Sequence, residues 1–296
     1  MSESRLQRIA IIGFGEVGQT LAADLQALPG VSISAWDRLF CSVGSPPQRA
    51  LSQHISVRAA SSMSAALADA QLIISAVTAG ECVAAAEEAA ASTPASAFYF
   101  DLNSVSPAAK TQAAKLIDGS GGRFVEAAIM SPIAPRRSAS PMLLGGPHAK
   151  TFLPTAQALG FTGTSVFADS FGRASAAKMC RSVVIKGMEA LLTESLLAAR
   201  HHGVEETVLE SLHDLFPAND WRNFARYMLS RSIQHGSRRA EEMREVAKTV
   251  AEARVNPWMS RACAERQTWA SAQIEALRHE ELFAMLDTML EERTTA

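Results

Sequence analysis

Arg8-Ile9-Ala10-Ile11-Ile12-Gly13-Phe14-Gly15-Glu16-Val17-Gly18 is the stretch that decides the fold. A run of strand-forming residues enters a glycine-rich turn, and apolar residues at Val17, Leu21, Leu25 and Leu28 then follow at helical intervals. Each glycine has a physical reason in such a strand-turn-helix unit. Gly13 permits the tight turn, Gly15 lets backbone approach a pyrophosphate, and Gly18 lets helix and strand pack closely. The unpaired N–H groups at the helix start then face the phosphates, with Phe14, Glu16 and Val17 in the same loop.

Working outward, β-rich runs at 8–12, 31–36, 72–77, 97–101, 123–127 and 142–144 alternate with Ala-rich helical stretches. Strands joined by helices imply parallel pairing through right-handed crossovers, hence an α/β fold with a Rossmann-type, doubly wound parallel sheet. Asp37 ends the second strand, where an acid accepts hydrogen bonds from the adenosine ribose and repels a 2′-phosphate. That favours NAD. The adjacent Arg38 leaves NADP open, because it either pairs with a 2′-phosphate or lies on the surface beside the adenine.

Beyond about residue 170 strand alternation stops, which divides the chain into a dinucleotide-binding domain, 1–170, and an all-helical domain, 171–296. One long helix is expected from about 173 to 200, with turn signals at Phe216-Pro217, Gln234-His235-Gly236 and Asn256-Pro257. The helical half, with Trp221, Trp258 and Trp269, holds more apolar surface than a helix pair buries, so a homodimer through this half is expected.

The 296 residues suffice for two domains, and 48% apolar with 20% charged residues is ordinary globular composition. A net charge of -2 provides no basic field for nucleic acid. Cys41, Cys82, Cys180 and Cys263 lack metal or disulfide spacing and read as thiols of a reducing compartment. With no apolar signal core and no long apolar run, a soluble cytoplasmic protein with no membrane partner is expected. His201, His202 and His213 lack a carboxylate or thiol at ligand spacing, so no metal is expected, and Gly203 reads as a helix cap.

Three further motifs matter. They are Asp101-Leu102-Asn103-Ser104-Val105-Ser106-Pro107, then Glu126-Ala127-Ala128-Ile129-Met130-Ser131-Pro132 with Gly145-Gly146, and finally Gly172-Arg173-Ala174-Ser175-Ala176-Ala177-Lys178. Together with the glycine loop they resemble the β-hydroxyacid dehydrogenases, the superfamily that includes 6-phosphogluconate dehydrogenase, over most of the first 190 residues. The first is similar to its D-x-S-[ST]-x-x-P segment, with Asn103 in place of a serine. The second stands at its D-A-P-V-S-G-G loop, with Ser131 and Pro132 in place of two glycines. The third resembles its G-x-G-x-x-x-K segment, with Ala174 in place of one glycine.

The resemblance implies cofactor contacts at Val77, Thr78 and Asn103, a substrate contact at Ser104 and a catalytic lysine at Lys178; Met130 and Ser131 are expected to line the substrate, although the family's glycine contacts do not carry over to Ser131 and Pro132. Independently, a lysine in the first turns of a helix feels the positive dipole end, which with partial burial draws its pKa toward the working range. Lys178, Arg181, Ser182, Ile185 and Glu189 share one broad helical face. Ser182 stands where the family usually has an asparagine. Arg181 either grips a carboxylate on the substrate, which its fork fits, or pairs with an acid such as Glu189. Ile185 occupies the place of the second acid of 6-phosphogluconate dehydrogenase, which argues against that enzyme.

The cluster His235-Gly236-Ser237-Arg238-Arg239 is similar to a signature of a branch of the superfamily with a short helical C-terminal domain. In its dimers that domain helps close the partner's cleft, which would set His235 with Arg238 or Arg239 on the substrate's anionic end. The alternative is a capped helix start with a solvated face, where Arg and Glu one turn apart stabilise each other by a few tenths of a kcal/mol. The expected function is hydride transfer between a small anionic hydroxy acid, sugar acids included, and NAD or NADP. Imine or ketone reduction on the same scaffold is the second reading, against which Lys178 counts because those relatives usually replace it. A dinucleotide sensor without turnover is the third.

Overall fold

The computed structural model describes residues 7–217 and 220–291. It divides into two compact units, Met1–Met179 and Cys180–Ala296, with the division inside the helix expected at about 173–200.

The first unit runs β1 (Arg8–Ile12), α1 (Glu16–Gln26), β2 (Ser32–Trp36), α2 (Pro46–Leu51), β3 (Val57–Ala59), α3 (Met63–Leu67) and β4 (Leu72–Ser75). It continues with α4 (Cys82–Ala90), β5 (Phe98–Asp101), α5 (Pro107–Gly119), β6 (Arg123–Ile129), α6 (Ile133–Arg136), β7 (Met142–Gly145), α7 (Ala149–Ala158) and β8 (Thr164–Val166). The strands form one sheet in the order β3-β2-β1-β4-β5-β6-β7-β8. Strand order reverses at β1, so the crevice between the β1 and β4 ends is the switch point where such sheets bind ligands.

Both faces of this sheet are covered, and the strands accordingly read as continuous apolar runs. Ile9, Ile11, Leu72, Ile74, Phe98 and Phe100 pack on one side. Ala10, Ile12, Ile73, Tyr99 and Phe124 pack on the other. The expected all-parallel pairing fails at one place, since β7 runs antiparallel to β6. A parallel return needs a crossover long enough to traverse the sheet, and α6 has only four residues. The chain therefore doubles back, tied down by Arg137, whose Nε donates to Asp24 Oδ1 on α1 at 2.7 Å.

A buried ion pair lies inside this apolar architecture. Lys110 lies on the inner face of α5 with Ala113, Ala114 and Ile117, the spacing of a core stripe. Its ammonium donates to Asp101 Oδ1 at 2.5 Å and to the Asp101 carbonyl oxygen at 3.0 Å, and both side chains are completely buried.

Helix α8 (Arg173–His202) starts in the first unit and continues into the second, ending at Gly203 with φ +69° as the cap reading requires. There follow α9 (Glu205–Leu215), α10 (Trp221–Glu252), α11 (Trp258–Ala270) and α12 (Leu282–Glu291). The core of the second unit gathers Leu192, Leu196, Trp221, Leu229, Met285 and Leu286. The turn expected at Gln234-His235-Gly236 does not form, because α10 runs unbroken through it. A Cβ on Gly236 would lie 2.3 Å from the Gln267 carbonyl oxygen on α11, so this glycine serves close helix packing and not a turn.

Lys110→Met would leave Asp101 buried without its cation. Breaking one side of a buried pair costs about 3–5 kcal/mol, so urea denaturation should show a loss of that size. A loss under about 1 kcal/mol would mean that Asp101 does not depend on Lys110.

Candidate active site

The glycine loop makes a tight turn at Gly13, packs closely at Gly18 and leaves open space at Gly15. Gly13 has φ +88°, and a Cβ there would lie 2.4 Å from the Ala76 carbonyl oxygen. A Cβ on Gly18 would lie 2.1 Å from the Gly13 carbonyl oxygen, so strand end and helix start touch through backbone alone. A Cβ on Gly15 meets nothing within 4 Å, and this residue opens onto free space at the start of α1. That combination of a rigid turn, an empty approach and unpaired helix N–H groups fits a dinucleotide pyrophosphate.

A cavity of about 560 Å³ extends from this loop, bounded by Asp37, Arg38, Leu39, Met63, Val77 and Thr78 among others. Its size suits the adenosine half of a dinucleotide. Asp37 is pinned by the loop it serves, for its Oδ2 accepts the Phe14 N–H at 2.7 Å and its Oδ1 the Leu39 N–H at 2.9 Å. Arg38 lies at the rim in an ion pair with Glu81 at 2.7 Å.

Behind the cavity a buried polar network joins β4 to β5. Asn103 was expected to touch the cofactor, but its side chain is turned inward and only 4% of the residue is exposed. Its Oδ1 accepts the Val77 N–H at 2.7 Å, and its Nδ2 donates to Ser75 Oγ at 2.9 Å. The Asn103 N–H in turn donates to Asp101 Oδ1 at 2.8 Å. Asn103 thus shapes the Val77-Thr78 wall from behind. Cys82 lies against the same network, where burial first and the Asp101 charge second push its thiol well above the usual range. It is therefore an inert thiol at neutral pH.

Lys178 sits in the second turn of α8, half-buried, and its Nζ donates to Ser104 Oγ. Ser104 follows directly on Asn103, so the lysine is joined to the loop at the end of β5. The helix start is positioned by a residue that sequence reading did not single out. Glu126, fully buried on β6, accepts the Gly172 N–H at 2.7 Å and the Ser175 N–H at 2.6 Å. A carboxylate on the first free N–H groups of a helix satisfies them and complements the helix dipole.

Both glycines of the Gly145-Gly146 pair make room for this arrangement. A Cβ on Gly145, paired opposite Glu126, would lie 2.6 Å from Glu126 Oε2. A Cβ on Gly146 would lie 2.2 Å from the Phe171 ring. Met130 and Ser131 are half-buried just past the end of β6, with the Met130 N–H held by the Pro141 carbonyl oxygen at 2.8 Å.

The remaining expected substrate residues lie in the second unit. Arg181 is exposed and Ser182 buried on α8. Glu189 does not pair with Arg181. Its carboxylate takes Arg239 of α10 and the Gln267 amide of α11, the latter at 2.9 Å. Arg238 pairs with Glu242 at 3.1 Å, one turn along α10, and Glu242 also takes the buried Lys186. Burial draws the Lys186 ammonium below its ordinary range, opposed by the Glu242 charge. Arg239 and Lys186 thus join α8 with α10 through Glu189 and Glu242, Arg238 pairs within α10, and His235 lies half-buried within α10 and does not start a helix.

The NAD binding domain of 6-phosphogluconate dehydrogenase matches residues 8–168, and a domain of unknown function, DUF1932, matches residues 199–270. A conserved hypothetical protein from Sinorhizobium meliloti is 34% identical over 97% of each chain, with a TM-score of 0.74. A conserved protein of unknown function, described as structurally similar to 3-hydroxyacid dehydrogenases, is also 34% identical, over 90% of this chain and 98% of that one, with a TM-score of 0.64. The Mycobacterium tuberculosis 3-hydroxyisobutyrate dehydrogenase, solved with L-serine, shares the fold at 16% identity, 96% and 99% coverage and a TM-score of 0.66.

Gly13 and Gly15 should respond oppositely to substitution. Gly15→Val should keep the thermal midpoint within about 2 °C and weaken NADH binding by about tenfold or more, whereas Gly13→Ala should lower the midpoint itself. Equal NADH affinity in Gly15→Val and wild type, read by nicotinamide fluorescence, would remove the pyrophosphate from this loop. Glu126→Gln replaces one acceptor oxygen with a donor that faces an N–H, and should cost about 1–3 kcal/mol in urea denaturation.

Proposed function

Since the chain belongs to the family of 6-phosphogluconate dehydrogenase-type NAD-binding domains, we propose that it is an NAD-dependent dehydrogenase of a small hydroxy acid, with Lys178 as general acid and base. The observation that carries this reading is the hydrogen bond from Lys178 Nζ to Ser104 Oγ. It joins the amine to the β5 loop, whose neighbouring Asn103 also holds the Val77 wall of the cofactor cavity. The relative described as similar to 3-hydroxyacid dehydrogenases, at 34% identity, supports the substrate class.

A bound nicotinamide would take a hydride from the alcohol carbon, or return it in the reverse direction. The protein's own task is the proton. Oxidation of a CH–OH group releases one proton from oxygen, and Lys178 in its amine form accepts it; in the reverse direction the ammonium returns it. Ser104 orients the Nζ and offers a second hydroxyl to the reacting oxygen. Glu126 fixes the first turn of α8, and with it the distance between Lys178 and the β5 loop. The homodimer through the helical unit belongs to the same proposal. Trp258, Met259, Tyr227 and Leu191 there are each more than half exposed in the single chain, and sedimentation equilibrium tests the association.

The test is absorbance of reduced nicotinamide, with NAD against a panel of 3-hydroxy acids and sugar acids, for wild type beside Lys178→Met. Turnover should fall by about 10²–10⁴ in the variant while NADH binding persists. Equal turnover would take the proton transfer away from Lys178. NADH binding without turnover on any hydroxy acid would leave a nucleotide sensor as the better reading.

A further inference from the structure

We infer that Glu81 determines the choice between NAD and NADP, by occupying the guanidinium of Arg38 that a 2′-phosphate would need. The inference rests on the dinucleotide reading of the glycine loop and refines it. Arg38 Nη1 and Glu81 Oε1 are 2.7 Å apart. Both residues line the cavity that reaches Gly13 and Gly15, so the pair is part of the cofactor chamber itself. The two come from separate loops, Arg38 from the end of β2 and Glu81 from a short 3-10 turn, Ala79–Glu81, after β4.

The other charges of the lining decide the sign of the effect. Asp37 and Glu88 also bound the cavity, which sets one guanidinium against three carboxylates. Asp37 cannot swing away, because the Phe14 and Leu39 N–H groups hold both its oxygens. A phosphomonoester brings a charge of about -1.5 to -2 at neutral pH. A guanidinium edge fits a phosphate or a carboxylate equally well, and Glu81 already holds it. An incoming 2′-phosphate must therefore compete with Glu81 for Arg38 and remain among three acids. The bare 2′-hydroxyl of NAD meets neither obstacle.

Glu81 acts in two ways, as competitor for Arg38 and as a source of repulsion, and exposed ion pairs are individually weak. Replacing it with glutamine removes both effects at once. Removing Arg38 as well takes away the one cation among the described residues lining the cavity. The two substitutions are therefore coupled for NADPH and independent for NADH, which a general loosening of the surface would not produce. With side-chain exposures of 61% and 42%, neither residue carries the core, and both variants should fold.

The experiment titrates wild type, Glu81→Gln and Glu81→Gln/Arg38→Ala with NADH and with NADPH, following nicotinamide fluorescence at low salt and at about 0.5 M salt. Wild type should prefer NADH by about tenfold or more, and high salt should narrow that ratio because the charges are exposed. Glu81→Gln should bind NADPH about tenfold more tightly, with NADH affinity within about twofold of wild type, and the second substitution should cancel the gain. A ratio unchanged in Glu81→Gln, or a gain that survives loss of Arg38, overturns the assignment to Glu81 while leaving the dinucleotide site standing. Failure of wild type to bind either nucleotide would overturn the dinucleotide reading, and the role of Glu81 with it.

Discussion

Two backbone N–H groups, those of Gly172 and Ser175, converge on the buried carboxylate of Glu126, and the placement of the candidate catalytic lysine depends on that grip. A helix start inside a protein must find partners for its first N–H groups, and here water cannot supply them. Glu126 supplies them from the middle of a strand. The first turn of α8 is thereby tied to the sheet, and Lys178 inherits a defined position opposite the β5 loop.

A second carboxylate, Asp101, lies beside Glu126 in the strand register and is equally buried. The two acids are satisfied in contrasting ways. Asp101 meets a full charge on Lys110, whereas Glu126 meets only backbone dipoles. Both keep acids side by side under the cleft without exposing either, and both spend their bonds on the loops above. Asp101 steadies Asn103, and through it the Val77 wall of the cofactor cavity. The chamber for the cofactor and the mounting of the lysine thus share one polar foundation inside an apolar sheet.

Much of this was legible in the residues themselves. The glycine loop, Asp37 and the alternation of strands and helices specify the nucleotide domain, because close backbone approach leaves glycine no substitute. The two short strands Val57–Ala59 and Thr164–Val166 were not legible, since three residues carry no alternation. Nor was the reversal of β7, which follows from the brevity of α6. Gly236 misled for a definite reason: a glycine that admits a neighbouring helix looks, in sequence, like one that ends its own. The motif containing Glu126 gives that residue no role, and Lys110 stands in no motif, because a buried charge resembles a surface charge until its partners are known. Lys110 did leave one trace, a charge on the Ala113, Ala114 and Ile117 stripe of α5. Asn103 and Arg239 were read as ligand contacts, and the fold spends their side chains on internal bonds.

The missing side chain at Gly145 carries a consequence for inheritance. The carboxylate of Glu126 fills the space where that side chain would be, so the two positions form one heritable unit although they stand in different strands. A lineage can add an atom at 145 only after 126 has shortened, for example to aspartate, and the order of those two steps is imposed by volume. Counting paired changes among relatives would expose this coupling as covariation between an acid's length and a glycine's persistence.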